Sequence, residues 1–265
     1  MPDSNNQSTN ICILICSYDG AEDLWLPLSE TYKDFWPDCP FKIYLGTNFK
    51  TPELEPFTPL EIGNEISWSD NILKCIERID QEYILMIFDD IFLYKEIETD
   101  KVIHLSELAV EKNWSCLRLS PLPKYDYEIS KGIGRIEENR LYRTATVWSL
   151  FKKEVLKDLL KAEESAWDFE IYGSERSNKY SDFYSVDTTV LPYLNGVVKG
   201  KWVRRVYKYL DKEGFSVSSK NINIMTINED IYYQFVRLRS WIFRKIIPNY
   251  LQLKIRKKFL NQVNN

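Results

Sequence analysis

The chain has 265 residues, 44% of them apolar, with 35 Lys and Arg against 39 Asp and Glu and a formal net charge of −4. That length and apolar content supply a substantial core for one large domain, or for one domain with a helical appendage, and exclude disorder except at the ends. The single histidine, His104, excludes zinc sites with two or more histidines and histidine-rich two-metal sites, and it leaves little basis for a Ser-His-Asp triad.

The opening M-P-D-S-N-N-Q-S-T-N has neither the basic nor the apolar region of a signal peptide, and no run approaches the roughly 18 apolar residues of a membrane span. A cytoplasmic protein is expected, with residues 1–9 as a flexible start. Its five cysteines, Cys12, Cys16, Cys39, Cys75 and Cys116, are odd in number and form no C-x-x-C pair, which suits reduced thiols.

Asn10 to Cys16 is a continuous apolar run ended by the turn-like S-Y-D-G, the pattern of a buried parallel strand. Helical spacing follows from Ala21 to Phe35, closed by Trp36-Pro37, and then a second strand, Phe41 to Leu45, before the loop Gly46-Thr47-Asn48. After a Pro-rich passage, Thr51 to Pro59, the face formed by Ile72, Leu73, Ile76 and Ile79 predicts a helix over Ser69 to Ile79. Next comes Glu82 to Leu93, E-Y-I-L-M-I-F-D-D-I-F-L, an apolar strand that runs into Asp89 and Asp90. Burying an unpaired carboxylate costs several kcal/mol. Two adjacent acids there mark either a cation or substrate site or a strand end reaching the surface.

A helix is expected over Asp100 to Lys112, with His104 as an ordinary surface or boundary residue, and a strand over Trp114 to Leu119. Tyr125 to Arg143 reads as loop or strand pair, Ala145 to Phe151 as a strand, and Lys153 to Lys161 as a helix. Alternating strands and helices imply an α/β fold with a mostly parallel, Rossmann-like sheet, whose ligands gather at the carboxyl ends of strands. Ser17, Tyr18, Asp19, Asn48, Asp89 and Asp90 would all lie at that edge. Gly132 and Gly134 give G-x-G without a third glycine, and no G-K-[ST] occurs, so dinucleotide and P-loop functions have little support.

A second acidic cluster, S-A-W-D-F-E-I-Y-G-S-E-R-S over Ser165 to Ser177, sets Asp168 and Glu170 among large aromatics. Acids held against apolar walls acquire the raised proton affinity that general-base chemistry needs. Equally, Trp167 and Phe169 could be core anchors while Asp168 caps a helix.

Together the strand-loop start, the diacid and W-D-F-E resemble the GT-A-type nucleotide-sugar glycosyltransferases, over about Asn10 to Trp202. The likeness is greatest to bacterial enzymes that build surface polysaccharides such as capsule and lipopolysaccharide, through W-S-D-N-I-L-K-C-I, Y-I-L-M-I-F-D-D-I-F-L, L-R-L-S-P-L-P and W-D-F-E-I-Y-G-S-E-R-S. The resemblance implies a GT-A-like domain over 10–227, a nucleotide-sugar donor, a glycan or lipid-linked acceptor, and a divalent cation, Mg²⁺ or Mn²⁺. It assigns the cation to Asp90, with Asp89 beside it or near the ribose, and the nucleoside to the first strand's loop, Ser17, Tyr18 and Asp19, with Asn48. Asp168 would be the base, and Glu170 would support it or contact the acceptor. Phe88 stands where a D-x-D motif puts its first acid, and Trp167 replaces the first acid of the base motif. Arg118, Lys199, Lys201, Arg204 and Arg205 are candidate diphosphate contacts, K-G-K-W at 199–202 foremost, while Trp148 and Trp167 could face sugar rings or belong to the core. The competing functions are a nucleotidyltransferase that makes a sugar nucleotide and a non-catalytic carbohydrate-binding or scaffold protein.

Residues 228–265 form a basic amphipathic helical tail broken at Pro248. From Ile231 onward there is no acidic residue, and eight Lys and Arg leave the first 230 residues at a formal −12. An acidic body argues against nucleic acid as a partner. The tail would either hold the protein at the anionic inner face of the plasma membrane or pack on protein.

Overall fold

The structure, a computed structural model, describes residues 10–263. The expected flexible segment 1–9 lies outside the described residues. Strand β1 (Ile11–Cys16) is buried throughout, with Ile11, Ile13 and Ile15 in one core cluster and Cys12, Leu14 and Cys16 in another. Two buried faces explain a run without polar alternation. Helix α1 (Glu22–Phe35) ends at Trp36 as expected, and β2 (Lys42–Thr47) returns parallel to β1. Overlapping the end of the Pro-rich passage lies an unforeseen strand, β3 (Phe57–Glu61), parallel to β2 at the sheet edge. Pro59 is tolerated there because an edge strand leaves one row of backbone groups outside the ladder.

Helix α2 (Trp68–Glu77) is capped by Ser67, whose hydroxyl accepts from the Asp70 amide, and it leads to β4 (Tyr83–Phe88), parallel to β1. The long strand expected to Leu93 is broken. Asp89 and Asp90 form a turn, and β5 (Ile91–Leu93) leaves the main sheet. Consecutive strand residues face opposite sides, and both sides here are apolar, so continuing the strand would drive one carboxylate into each core.

Helix α3 (Thr99–Glu111) carries His104 exposed, and β6 (Cys116–Arg118) follows. The hairpin of β7 (Tyr127–Ser130) and β8 (Ile133–Arg135) realises the strand-pair alternative. Strand β9 (Ser149–Lys152) begins later than the apolar run implied and inserts antiparallel between β4 and β6. Just before it, the fully buried Trp148 takes a left-handed backbone, φ 54°, which interrupts extension. Helix α4 (Lys153–Leu159) is followed by α5 (Ala166–Asp168), a π-helical turn over Phe169–Gly173 and α6 (Ser174–Arg176). Strand β10 (Phe183–Val186) runs parallel to β6. Strand β11 (Tyr193–Asn195) pairs with β5, and β12 (Val197–Val198) with β13 (Lys201–Trp202). Helices α7 (Arg204–Lys212), α8 (Ile227–Ile246) and α9 (Asn249–Val263) complete the chain, the last two separated at Ile247-Pro248.

The main sheet has the order β3-β2-β1-β4-β9-β6-β10-β8-β7, with β9 and β8 running against the other seven strands. This is the α/β, mostly parallel, Rossmann-like class expected from the sequence. Leu24 and Leu28 of α1, Val102 and Leu105 of α3 and Val206 of α7 cover one face; Ile72 and Ile76 of α2 and Val155 and Leu156 of α4 cover the other. All five cysteines are free thiols and four are buried, where burial pushes Cys12, Cys75 and Cys116 up to about 12. The tail is not detached: Leu253 of α9 packs with Leu141 and Ile171, and Lys257 pairs with Glu175 at 2.5 Å. No helix among the described residues is long and apolar enough to cross a membrane.

Candidate active site

The parallel register of β1 on β4 pairs Cys16 with Phe88, so Ser17 and Asp89 leave the sheet side by side. The Ser17 hydroxyl donates to Asp89 Oδ2 at 2.6 Å and accepts from the Trp25 indole N–H at 2.7 Å, which fixes the serine rotamer. Strand β11 brings Gly196 beneath the turn, its amide donating to the Asp90 carbonyl at 2.7 Å. A Cβ at Gly196 would stand 2.3 Å from the Phe92 ring, so only glycine permits this approach. The Asn195 amide is oriented by its surroundings with nitrogen 3.2 Å from Asp90 Oδ2 and 3.0 Å from the Val197 carbonyl.

Burial pushes Asp89 up to about 7, and Asp90, which also faces the Asp89 charge, up to about 8. Among the described residues no cationic side chain counters either acid. Hard carboxylate oxygens with no internal counter-charge fit Mg²⁺ or Mn²⁺. Among the described residues no cluster of three or more His, Cys, Asp or Glu side chains gathers to hold an ion, so a cation on Asp89 and Asp90 would take its remaining oxygens from water and a bound phosphate group, as Mg²⁺ commonly does.

The second acidic cluster divides its two acids. Ser165 and Asp168 form a capping box: Asp168 Oδ2 accepts from the Ser165 amide at 3.1 Å and the Ser165 hydroxyl at 2.6 Å. That geometry answers to the helix-cap alternative. Glu170 instead faces the cavity occupied by the diacid. Phe169, fully buried against Trp68 and Phe151, anchors the π turn, and Thr144 Oγ1 donates to its carbonyl at 3.0 Å. Glu170 Oε1 accepts from the Thr146 amide at 3.1 Å and the Thr146 hydroxyl at 3.3 Å. Burial raises Glu170 above its ordinary value, against the pull of the Thr146 amide and the Arg118 charge.

Arg118 is buried behind this carboxylate, bonded to the Ala145 carbonyl and, at 2.8 Å, to Ser149 Oγ. The Ala145 carbonyl and the Thr146 amide belong to one peptide unit, so the guanidinium polarises the group that donates to Glu170. Arg118 thus sits behind the Glu170 carboxylate and is not among the residues that line the cavity. Arg204 is engaged by the Met225 carbonyl at 2.8 Å and Arg205 by Asp230 at 3.2 Å. Lys201 lines the cavity paired with Glu229 at 2.5 Å. Lys199, exposed at the cavity, forms with Gly200 the two-residue turn between β12 and β13, both with positive φ (51° and 71°) as a tight hairpin requires.

The cavity measures about 1030 Å³ and is bounded by Asp89, Asp90, Glu170, Trp167, Lys199 and Tyr232. Trp167 is 65% exposed at its edge, whereas Trp148 is wholly core. A smaller cavity of about 210 Å³ adjoins it across Phe88 and Asp89, lined by Ser17, Tyr18, Trp68 and Asn71. The Asn71 side-chain oxygen is buried there without a partner.

Asp19 and Asn48 meet in a latch. Asp19 accepts from the amides of Asn48 and Phe49 at 2.8 and 3.0 Å, while Asn48 accepts from the Asp19 amide and donates to the Gly63 carbonyl, both at 3.0 Å. Their side chains tie the loops after β1 and β2 together. Asp19→Ala, which removes the acceptor shared by the amides of Asn48, Phe49 and Lys50, is expected to lower stability by about 1–3 kcal/mol, read as a lower urea midpoint at unchanged slope.

The sequence did not point to Thr146, which holds Glu170, or to Asn195, Glu229, Tyr232 and Tyr233, which line the large cavity. The Asn195-Gly196 turn signal was the one local cue.

No family model and no curated protein matches the chain. Among solved structures it is similar to S. aureus TarS 1-349, at 13% identity and TM-score 0.41 over 67% of this chain and 60% of that one. The same protein in complex with UDP-GlcNAc gives 10% identity and TM-score 0.48 over 92% and 79%. A cytidylyltransferase from Leptospira borgpetersenii gives 11% and 0.44 over 83% and 99%. Likenesses of this size do not separate sugar transfer from nucleotidyl transfer, and the chain spans only 60% of the first of these proteins.

Proposed function

We propose that the protein is a glycosyltransferase that moves a sugar from a nucleotide-sugar donor to a hydroxyl of a glycan or lipid-linked acceptor, with inversion, in building a bacterial surface polysaccharide. The observation that carries this is one cavity bounded by an uncompensated diacid, Asp89 and Asp90, and by the buried carboxylate of Glu170. Such an arrangement serves a reaction in which negative charge accumulates on one group while a hydroxyl loses a proton to another.

The nucleoside would occupy the smaller cavity, its base against Tyr18 and Trp68 and a donor group on the unpartnered Asn71 oxygen. Asp89 and Asp90 would hold Mg²⁺ or Mn²⁺, Ser17 and Asn195 fixing the two carboxylates. When bound, that cation neutralises charge on the departing diphosphate. Lys199, exposed at the cavity, adds a flexible positive charge to the same group. Trp167 offers a flat apolar face to a sugar ring. Glu170, held by Thr146 through Oε1, takes the proton of the acceptor hydroxyl as that oxygen attacks the anomeric carbon. Asp168, spent on its capping box, is left to position this turn. A donor of this kind places the reaction in the cytoplasm.

The test is a thermal-shift screen of UDP-, GDP-, CMP- and dTDP-sugars with and without Mn²⁺. One nucleotide at a hundredfold excess over its Kd should stabilise the fold by about 2.7 kcal/mol, with the shift abolished by EDTA. A turnover assay that makes a sugar nucleotide from a sugar phosphate would assign the site to nucleotidyl transfer. Silence with all four donors removes the proposal.

A further inference from the structure

Helix α8 serves the cavity with one side and leaves the other uncovered. Asn228, Glu229, Tyr233 and Val236 face the cavity. On the opposite side Ile227, Ile231, Phe235, Leu238, Ile242 and Ile246 recur every three or four residues and are 65%, 62%, 60%, 54%, 41% and 71% exposed. That spacing makes a single stripe along all 20 residues of the helix. Trp241 lies on its flank, 49% exposed, with the Lys245 ammonium 4.5 Å from its ring.

Charge decides what covers the stripe. The helix carries Arg237, Arg239, Arg244 and Lys245 exposed, α9 adds Lys254 and Lys258, and no acidic residue occurs after Asp230. A second copy packed stripe to stripe about a two-fold axis would set Arg237 and Arg239, near the middle of the helix, against their own kind whether the helices ran parallel or antiparallel. An apolar stripe bordered by arginine, lysine and a tryptophan matches the interface of an anionic bilayer, where the aliphatic side chains enter the acyl boundary and the cations meet the headgroups.

We propose that the outer face of α8 is a docking surface for an anionic lipid bilayer. Tyr232, 63% exposed, stands between the stripe and the cavity and belongs to the cavity lining as well. Docking therefore brings the cavity mouth to the lipid surface, which makes a lipid-borne acceptor the fitting one; this last step rests on the glycosyltransferase proposal, and the docking itself does not.

The experiment is co-sedimentation of the full chain, without nucleotide or metal, with vesicles of phosphatidylglycerol and phosphatidylcholine or of phosphatidylcholine alone. Binding is expected to the anionic vesicles, to weaken as salt rises, and to fall about tenfold or more in Ile231→Ser and again in Leu238→Ser. Both side chains are more than half exposed, so unchanged thermal unfolding verifies the fold of each variant. Absence of binding to anionic vesicles, or binding that both variants retain, overturns the proposal. So does a wild-type dimer in light scattering that the same substitutions convert to monomer. None of these readouts depends on sugar transfer, so failure of docking and failure of the enzymatic proposal are separately visible.

Discussion

Glu170→Gln is expected to lower turnover by about 10²–10⁴-fold while leaving donor affinity nearly unchanged, because proton removal by a positioned carboxylate contributes on that order and glutamine keeps the shape without the base. The retained Thr146 contacts should preserve the π turn. The pH profile gives a second, independent mark. Burial raises Glu170 above the ordinary carboxylate value, so the acid limb of kcat should lie above that of a solvated glutamate, activity falling as pH drops through the raised value and the base is protonated. In Glu170→Gln that limb disappears. Asp168→Asn, by contrast, should act through its capping box, costing about 1 kcal/mol of stability and changing kcat only modestly. If Asp168→Asn is the one that abolishes turnover, the base has been misassigned.

Asp90→Asn should do opposite things to stability and to function. Both acids are raised, Asp89 to about 7 and Asp90 to about 8, above the roughly 3.9 of an unfolded aspartate. Between those values the folded state binds protons that the unfolded state has released, and stability therefore falls as pH rises through the window. Without metal the protein should be more stable near pH 5 than at pH 8, and Mn²⁺ should restore stability at the upper end. Asp90 is partly open to the cavity, so water screens some of the cost. Its replacement by Asn should stabilise the metal-free protein at pH 8 by about 1–3 kcal/mol, a Tm rise of several degrees. The same substitution should abolish the Mn²⁺-dependent nucleotide shift. A Tm independent of pH from 5 to 8 in the metal-free wild type would show that the pair is compensated by something else.

Much of the framework was legible because the signals were local. The apolar runs of β1 and β4, the helical faces of α1, α2 and α3 and the break at Pro248 each arise within a dozen residues, where side-chain period and turn chemistry determine backbone form. The break at Asp89 was less legible: the run continued through Ile91 to Leu93, and only the second buried face of the sheet forces the chain to turn. Strand β3 was hidden by Pro59, which a central strand would exclude and an edge strand accepts. The start of β9 was obscured by Trp148, whose left-handed backbone leaves no trace in an apolar window.

By itself the sequence determined the α/β class, the placement of Ser17, Asp89 and Asp90 at one edge of the sheet, and two acidic clusters that needed a reason. Those follow from the cost of burying charge and from the period of the chain, both of which act over short distances. Tertiary structure alone decided that Glu170 faces the cavity while Asp168 caps a helix, that Arg118 lies behind the carboxylate, and that Asn195 and α8 close the site. Each depends on segments far apart in sequence meeting across the core, as Thr146 does with Glu170 and Asn195 with Asp90. A two-residue difference along a helix can turn one acid to the cavity and spend the next on the backbone, and only the packing of Phe169 against Trp68 and Phe151 fixes which.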